Sequence, residues 1–203
     1  MGYGIGKMFT GLVVAAALTI SGVARADADV STPKKAAISF AKAVAAGDTA
    51  AMKALSTGTD AEFALVKSLS DVVTSTKKLE DACIKKFGDE GKLPKEMSMD
   101  LVTDLETGEE KITGDTATIA TKNKPGDEYP MTLKKDGAGW KVELSVLAKD
   151  PMAAAMAQMI PTMVKGMDIV TKNINDGKYK TATEALTDLA VQMTGAAAVD
   201  LGK

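Results

Sequence analysis

The chain has 203 residues, with 25 lysines and arginines against 27 aspartates and glutamates, and its formal net charge is −2. This mild acidity disfavours a nucleic-acid-binding protein, which normally carries a basic face. The lack of histidine removes the side chain that most often serves as a general base or binds a transition metal, and a single cysteine excludes a disulfide within the chain.

The first 26 residues have the pattern of a cleavable secretory signal peptide. Lys7 precedes an apolar run from Met8 to Val23, and Ala24-Arg25-Ala26 supplies the small-x-small pattern that a signal peptidase accepts. The run is shorter than the ~20 apolar residues of a membrane-spanning helix, so no stable membrane anchor is expected after cleavage. The sequence therefore predicts a periplasmic or secreted protein that begins at Asp27.

A helical hairpin is predicted at the start of the exported chain. Thr32-Pro33 combines a capping hydroxyl with proline at the first helical position. Gly47 ends this helix, and Asp48 caps a short second one. Because only these two residues separate the helices, we expect them to run back against each other.

A long third helix is predicted next, with a capping box of Thr59 and Glu62 at its start and Gly88 at its end. Its apolar stripe includes the lone cysteine, Cys83, which is interpreted as a buried free thiol. We expect the stripe to pack on the sheet that follows. The expected contacts join Leu69, Val72, Leu79 and Phe87 of the helix to Ile119, Leu133, Val142 and Trp140 of the strands.

From about Asp100 the apolar period changes to two, as in strands with one buried face. Tight turns at Gly114-Asp115 and Asp136-Gly137 indicate antiparallel neighbours. We therefore predict an α+β fold with N-terminal helices packed on a curved antiparallel meander, followed by a C-terminal helical extension. The alternating apolar positions are Ala117, Ile119, Tyr129, Met131, Leu133, Trp140, Val142 and Leu144.

The predicted extension covers residues 151–203, after an α+β domain of residues 27–150. Pro161 is expected to kink or split its first helix, because proline lacks a donor and crowds the preceding turn. Gly177 ends that helix, and Thr181 with Glu184 starts another before a frayed tail. Methionines on one face indicate either a core stripe or a pliable partner-binding surface. They are Met152, Met156, Met159, Met163 and Met167.

Three short motifs carry a resemblance to a known family. They are Ala45-Ala46-Gly47-Asp48 between two helices, Ile112 to Ala117 across a hairpin, and Gly139-Trp140-Lys141-Val142 on the last strand. The pattern resembles exported bacterial members of the nuclear transport factor two-like superfamily, the cystatin-like α+β cones. The resemblance implies that residues 27–150 form a cone with a pocket at its open end, where many members bind small ligands and a few are isomerases or dehydratases.

Two classes of function follow. The preferred hypothesis is a non-enzymatic module that binds a small apolar ligand or a protein partner, a second copy of the chain included. The alternative, implied by the resemblance, is an isomerase-like acid/base enzyme that uses a carboxylate and a tyrosine. No catalytic residue, metal or cofactor is assigned. The candidate pocket or interface residues are Trp140, Tyr129, Met156, Met159, Met163 and Met167.

We predict that the exported protein lacks residues 1–26. Intact-mass spectrometry of the periplasmic or secreted fraction should find a chain that begins at Asp27, because cleavage follows Ala26. A full-length chain confined to the cytosol would contradict the export prediction.

Overall fold

The computed structural model describes residues 28–94, 97, 101–124, 127–148 and 151–194. It describes their side chains except at 121–124, 127–129, 147–148, 151–156 and 194. The predicted signal peptide and C-terminal tail lie outside these residues. In the part of the chain that is described, no helix is both long enough and apolar enough to cross a bilayer.

The predicted helical hairpin is confirmed. Helix α1 spans Pro33–Ala46, and the Thr32 side chain accepts a hydrogen bond from the amide of Lys35 at its start. Gly47 ends α1 with a φ of 69°, a left-handed conformation that glycine adopts without steric cost. Helix α2 spans Thr49–Ala54, and the Asp48 carboxylate caps it by accepting from the amide of Ala51 at 2.9 Å.

Helix α3 spans Asp60–Phe87 and starts at the predicted capping box. The amide of Thr59 donates to the carboxylate of Glu62 at 2.6 Å, and the amide of Glu62 donates back to the Thr59 hydroxyl at 3.4 Å. A 3-10 turn, Gly88–Gly91, follows α3 directly. The long helix and its predicted end are therefore confirmed.

A short helix replaces the first part of the predicted strand region. Helix α4 spans Leu101–Thr107, so the expected change of period at Asp100 is wrong. Leu101 and Leu105 are four residues apart and therefore share one helical face. Leu105, which is 1% exposed, packs against α1 and the sheet.

The sheet is mixed rather than purely antiparallel. Strands β2 (Glu109–Thr113), β3 (Thr116–Lys124), β4 (Asp127–Asp136) and β5 (Gly139–Glu143) pair in antiparallel succession, as predicted. The two-residue strand β1, Ser56–Thr57, adds to the outer edge of β5 in parallel. The prediction of an antiparallel meander is wrong at this edge, because two residues carry no strand periodicity and their pairing is a long-range backbone contact.

One hydrophobic core lies between the sheet and the N-terminal helices. Ala36 and Ala37 of α1 are fully buried in it, and their methyl groups let the helix backbone approach the sheet closely. We call this cluster the sheet core. It consists of Ala36, Ala37, Phe40, Ala41, Ala43, Val44, Met52, Leu55, Val66, Leu105, Ala117, Ile119, Leu133, Trp140, Val142 and Leu144.

A second core joins α3 to the C-terminal helices, α6 (Pro151–Asn175) and α7 (Ala182–Thr194). A one-turn helix, α5 (Ser145–Ala148), connects β5 to α6. We call the second cluster the helix core. It consists of Val72, Leu79, Ala82, Cys83, Leu93, Ile160, Met167, Val170, Ile174, Ala185 and Leu189.

The predicted packing of α3 on the sheet is wrong. Because α1 covers the sheet face, α3 reaches the sheet core only near its N-terminal half, where Val66 is buried. Helix α3 has 28 residues, about 42 Å at 1.5 Å per residue, and its remaining apolar face meets α6 instead. Val72 and Leu79 belong to the helix core, and Leu69 and Phe87 pack against it.

Pro161 does not split helix α6, which runs unbroken from Pro151 to Asn175. Pro161 lies on the exposed face, where the carbonyl of Ala157 can tilt outward and accept from water. Gly177 ends the segment with a φ of 74°, and the amide of Glu184 donates to Thr181 at the start of α7, as predicted.

The packing of α3 against α6 predicts how much stability a core truncation removes. Leu79→Ala should lower the free energy of unfolding by about 2 to 5 kcal/mol, because Leu79 is fully buried between the helices. Urea denaturation measures this loss. Ile84→Ala on the same helix is the control: Ile84 is 39% exposed, so its loss should stay below about 1 kcal/mol. Equal losses for both variants would contradict the packing described.

Candidate functional site

The structure does not bring the sequence-predicted site residues together. Trp140 lies in the sheet core with 8% of its surface exposed, and its amide donates to the carbonyl of Val30 at 3.1 Å. Trp140 therefore packs as a core residue on β5. Tyr129 lies on β4 opposite Thr121, and Met156 lies on α6, but the side chains of both are outside the described set.

The remaining methionines differ in exposure along α6. Met167 is 2% exposed in the helix core, and its thioether accepts from the Thr76 hydroxyl at 3.3 Å. Met163 is partly buried against the same core, whereas Met159 is 59% exposed. The stripe is therefore core at its C-terminal end and solvent-facing at Met159.

The described interior between helices and sheet is filled by side chains. Phe40 is 4% exposed, and Leu133 and Leu144 are fully buried. Large apolar side chains thus pack between α1 and the sheet. Two clefts lie on the outer surface of the helices.

A surface groove of about 580 Å³ lies between α1 and α2. Its volume is within the ~300 to 1,000 Å³ typical of small-molecule sites. We call it the α1–α2 groove. Its lining residues are Ala28, Asp29, Lys35, Ile38, Ser39, Lys42, Ala43, Ala46, Asp48, Ala51, Ala54 and Leu55.

Small side chains keep this groove open. Ala43 and Ala46 line it from α1, and Ala51 and Ala54 line it from α2. The tight turn at Gly47 brings the two helices together, and at these four positions each helix contributes only a methyl group to the cleft. The floor of the groove is therefore largely apolar.

The segment before α1 forms one end of the groove and is fixed by Asp29. The carboxylate of Asp29 accepts from the hydroxyl of Ser31 at 2.6 Å and from its amide at 3.0 Å, and it pairs with Lys35 at 2.9 Å. The Ser39 hydroxyl donates to the backbone carbonyl of Asp29 at 3.2 Å. The Ser31 and Lys35 hydrogen bonds lower the pKa of Asp29 to about 2, so this carboxylate is ionised at neutral pH.

A smaller cleft of about 220 Å³ lies on the other side of α2, against α3. The ammonium of Lys53 lies 5.5 Å from the ring centroid of Phe63, and both residues line the cleft. Through this cation–π contact, the ammonium of Lys53 already has an interaction partner within the protein. The cleft is below the usual volume of a ligand site.

One further group bears on chemistry. Cys83 is a fully buried free thiol in the helix core, as predicted, and burial together with the Glu80 carboxylate raises its pKa. Among the residues that the structure describes, no three histidine, cysteine or acidic side chains are grouped as metal ligands are.

Sequence reasoning missed the α1–α2 groove. Ile38 and Lys42 lie one turn apart on α1, off the stripe formed by Ala36, Phe40 and Val44. The sequence contained two signals of this groove. One was the apolar residue and the lysine on this second face, and the other was the alanine-rich run 43–54. The sequence predicts that α2 folds back on α1, but it does not indicate that a cleft stays open between the two helices.

The Asp29 contacts predict a low titration midpoint. The amide proton of Ser31 should titrate in an NMR series with a midpoint of about 2, because this amide donates to the Asp29 carboxylate. A lowered folded-state pKa means that Asp29 stabilises the fold above its ordinary pKa of 3.8 and loses that contribution as pH falls through about 2. Asp29→Asn should abolish this titration; a wild-type midpoint near 3.8 would contradict the contacts.

Comparisons with known proteins give no relative. No protein-family model matches the chain, and neither the curated proteins nor the solved structures include a significant match. The resemblance to the nuclear transport factor two-like superfamily therefore stays a prediction.

Proposed function

We propose that this protein is an exported, non-enzymatic binding module that holds a small ligand with an apolar body in the α1–α2 groove. The observation that carries the proposal is the groove itself, an open cleft of about 580 Å³ with an apolar floor and a few charged groups at its walls. Small-molecule sites combine these two features, because the apolar surface supplies affinity and the polar groups fix orientation.

The acidic groups of the groove support a binding role over acid/base catalysis. The Asp29 carboxylate, with a pKa of about 2, is too weak a base to accept a proton near neutral pH. The Asp48 carboxylate accepts from the amide of Ala51 and thereby caps α2. Both acids hold the fold that makes the groove.

The export and fold parts of the proposal rest on separate support. The apolar run Met8 to Val23 and the Ala24-Arg25-Ala26 site support export. The antiparallel hairpins β2 to β5 packed on α1 support a cone-like domain of the nuclear transport factor two-like kind. Because the sheet core is filled by side chains, we assign the proposed ligand to the groove of the helical hairpin.

A groove-filling substitution tests the proposal. The purified protein should bind the neutral fluorescent probe N-phenyl-1-naphthylamine saturably at one site. Ala51→Leu should weaken this binding by about tenfold or more, because a leucine side chain occupies the cleft that Ala51 lines. Fluorescence titration gives the dissociation constants.

The matched control is Ala50→Leu, the same change at the preceding position of α2. Ala50 is exposed and lines neither cleft, so binding should be unchanged. If Ala51→Leu alters the circular dichroism melt, Ala54→Leu on the exposed rim replaces it. Absence of saturable binding, or equal binding by the wild type and both groove variants, would contradict the proposal.

A further inference from the structure

We infer that the ligand of the α1–α2 groove is a single-chain anionic amphiphile, a fatty-acid-like carboxylate whose head pairs with Lys42 while its alkyl chain lies on the alanine floor. This inference rests on the proposed function and adds the chemical class of the ligand.

Three of the four charged side chains in the groove already have partners within the protein. Lys35 and Asp29 form an ion pair at 2.9 Å, and the Asp48 carboxylate accepts from the Ala51 amide at 2.9 Å. These groups are committed to holding the groove together. A ligand that displaced them would have to replace contacts that anchor the N-terminal segment and cap α2.

Lys42 is the exception. It lines the groove from the middle of α1, it is exposed, and no carboxylate in the described part of the chain lies within ion-pair distance of its ammonium. Its neighbours one turn away are Ile38 and Ala46, which line the same groove. Lys42 is therefore an unpaired cation on the apolar surface that lines the groove.

Three helical lysines outside the groove pair with an aspartate four residues later, whereas others, such as Lys78, have no carboxylate at that position. Lys67 pairs with Asp71 at 2.7 Å on α3, and Lys172 pairs with Asp176 on α6. The corresponding position after Lys42 is Ala46, a groove residue. Lys42 therefore has no intrahelical ion pair, and it differs from Lys78 in that it lines the groove.

The shape of the groove favours a chain over a compact anion. Its wall on α1 extends from Lys35 to Ala46, about 17 Å of helix at 1.5 Å per residue, with Lys42 between the two ends. The apolar part of the groove lining consists of five alanines, Ile38 and Leu55. A lone carboxylate or phosphate would leave this apolar surface unused, whereas an alkyl chain would cover it.

Displacement of N-phenyl-1-naphthylamine by three ligands of equal chain length tests the inference. They are decanoate, decanol and decyltrimethylammonium, used below their micellar concentrations. Decanoate should bind about threefold to fivefold more tightly than decanol, as expected for one partly exposed ion pair, and decyltrimethylammonium should bind most weakly. Higher salt should reduce the advantage of decanoate, because salt screens the pair.

Lys42→Gln should remove the advantage of decanoate and leave decanol binding unchanged. The matched control is Lys78→Gln, which removes the same charge at an exposed position of α3 that lines neither cleft. It should change neither ligand. These two variants separate the local ion pair from the effect of net charge.

Three results would overturn the inference: equal affinity for decanoate and decanol with no effect of Lys42→Gln, no displacement by any of the three ligands, or association with anionic lipid vesicles in place of monomeric decanoate. In each of these cases the neutral probe still binds, and the proposed function stands. Failure of the probe itself to bind in the groove would overturn the proposed function.

Discussion

Helix α3 is shared by both hydrophobic cores, and the positions of the other helices depend on it. Three small hydroxyl side chains set the contacts. The hydroxyl of Ser70 donates to the carbonyl of Val44 in α1 at 2.5 Å, that of Ser75 to Asp168 of α6 at 3.3 Å, and that of Thr76 to the Met167 thioether. Because an unpaired buried hydroxyl costs about 1 to 3 kcal/mol, these bonds favour one register of each helix on α3.

The position of α1 follows from this constraint and accounts for the groove. One face of α1 places Phe40 and Val44 in the sheet core, and Ser70 holds its C-terminal end on α3. The face that carries Ile38 and Lys42 is left towards α2. The helix thus has two faces with different roles, one that closes the core and one that forms the wall of a cleft.

Local features of the fold could be predicted from the sequence, because the interactions that produce them lie within a few residues. The caps at Thr32, Asp48 and Thr59 and the hairpin turns of the sheet are of this kind. Strand β1 and the partner of the α3 stripe could not be predicted, because both are long-range pairings. The apolar stripe of α3 has the right period for packing on a sheet or on a helix, so period alone does not choose between them.

The candidate site was less predictable than the fold. Trp140 and the methionines of α6 are large apolar residues, which line pockets and fill cores alike, and the structure places Trp140 and Met167 in cores. The groove is lined mainly by alanines, which in a sequence indicate only a good helix former. The groove exists only because of the way in which α1 and α2 pack together, and the identity of any single residue does not predict that packing.

The chain contains one tryptophan, and its position gives the protein a built-in optical reporter. The amide of Trp140 donates a hydrogen bond to the carbonyl of Val30. Val30 also packs closely on Gly139, since a Cβ atom added to Gly139 would lie 2.7 Å from a methyl carbon of Val30. Asp29, which lines the groove, directly precedes Val30 in the sequence. Separation of this segment from β5 would expose the Trp140 indole to water. The fluorescence of this tryptophan therefore reports whether the N-terminal segment lies against β5 and beside the groove.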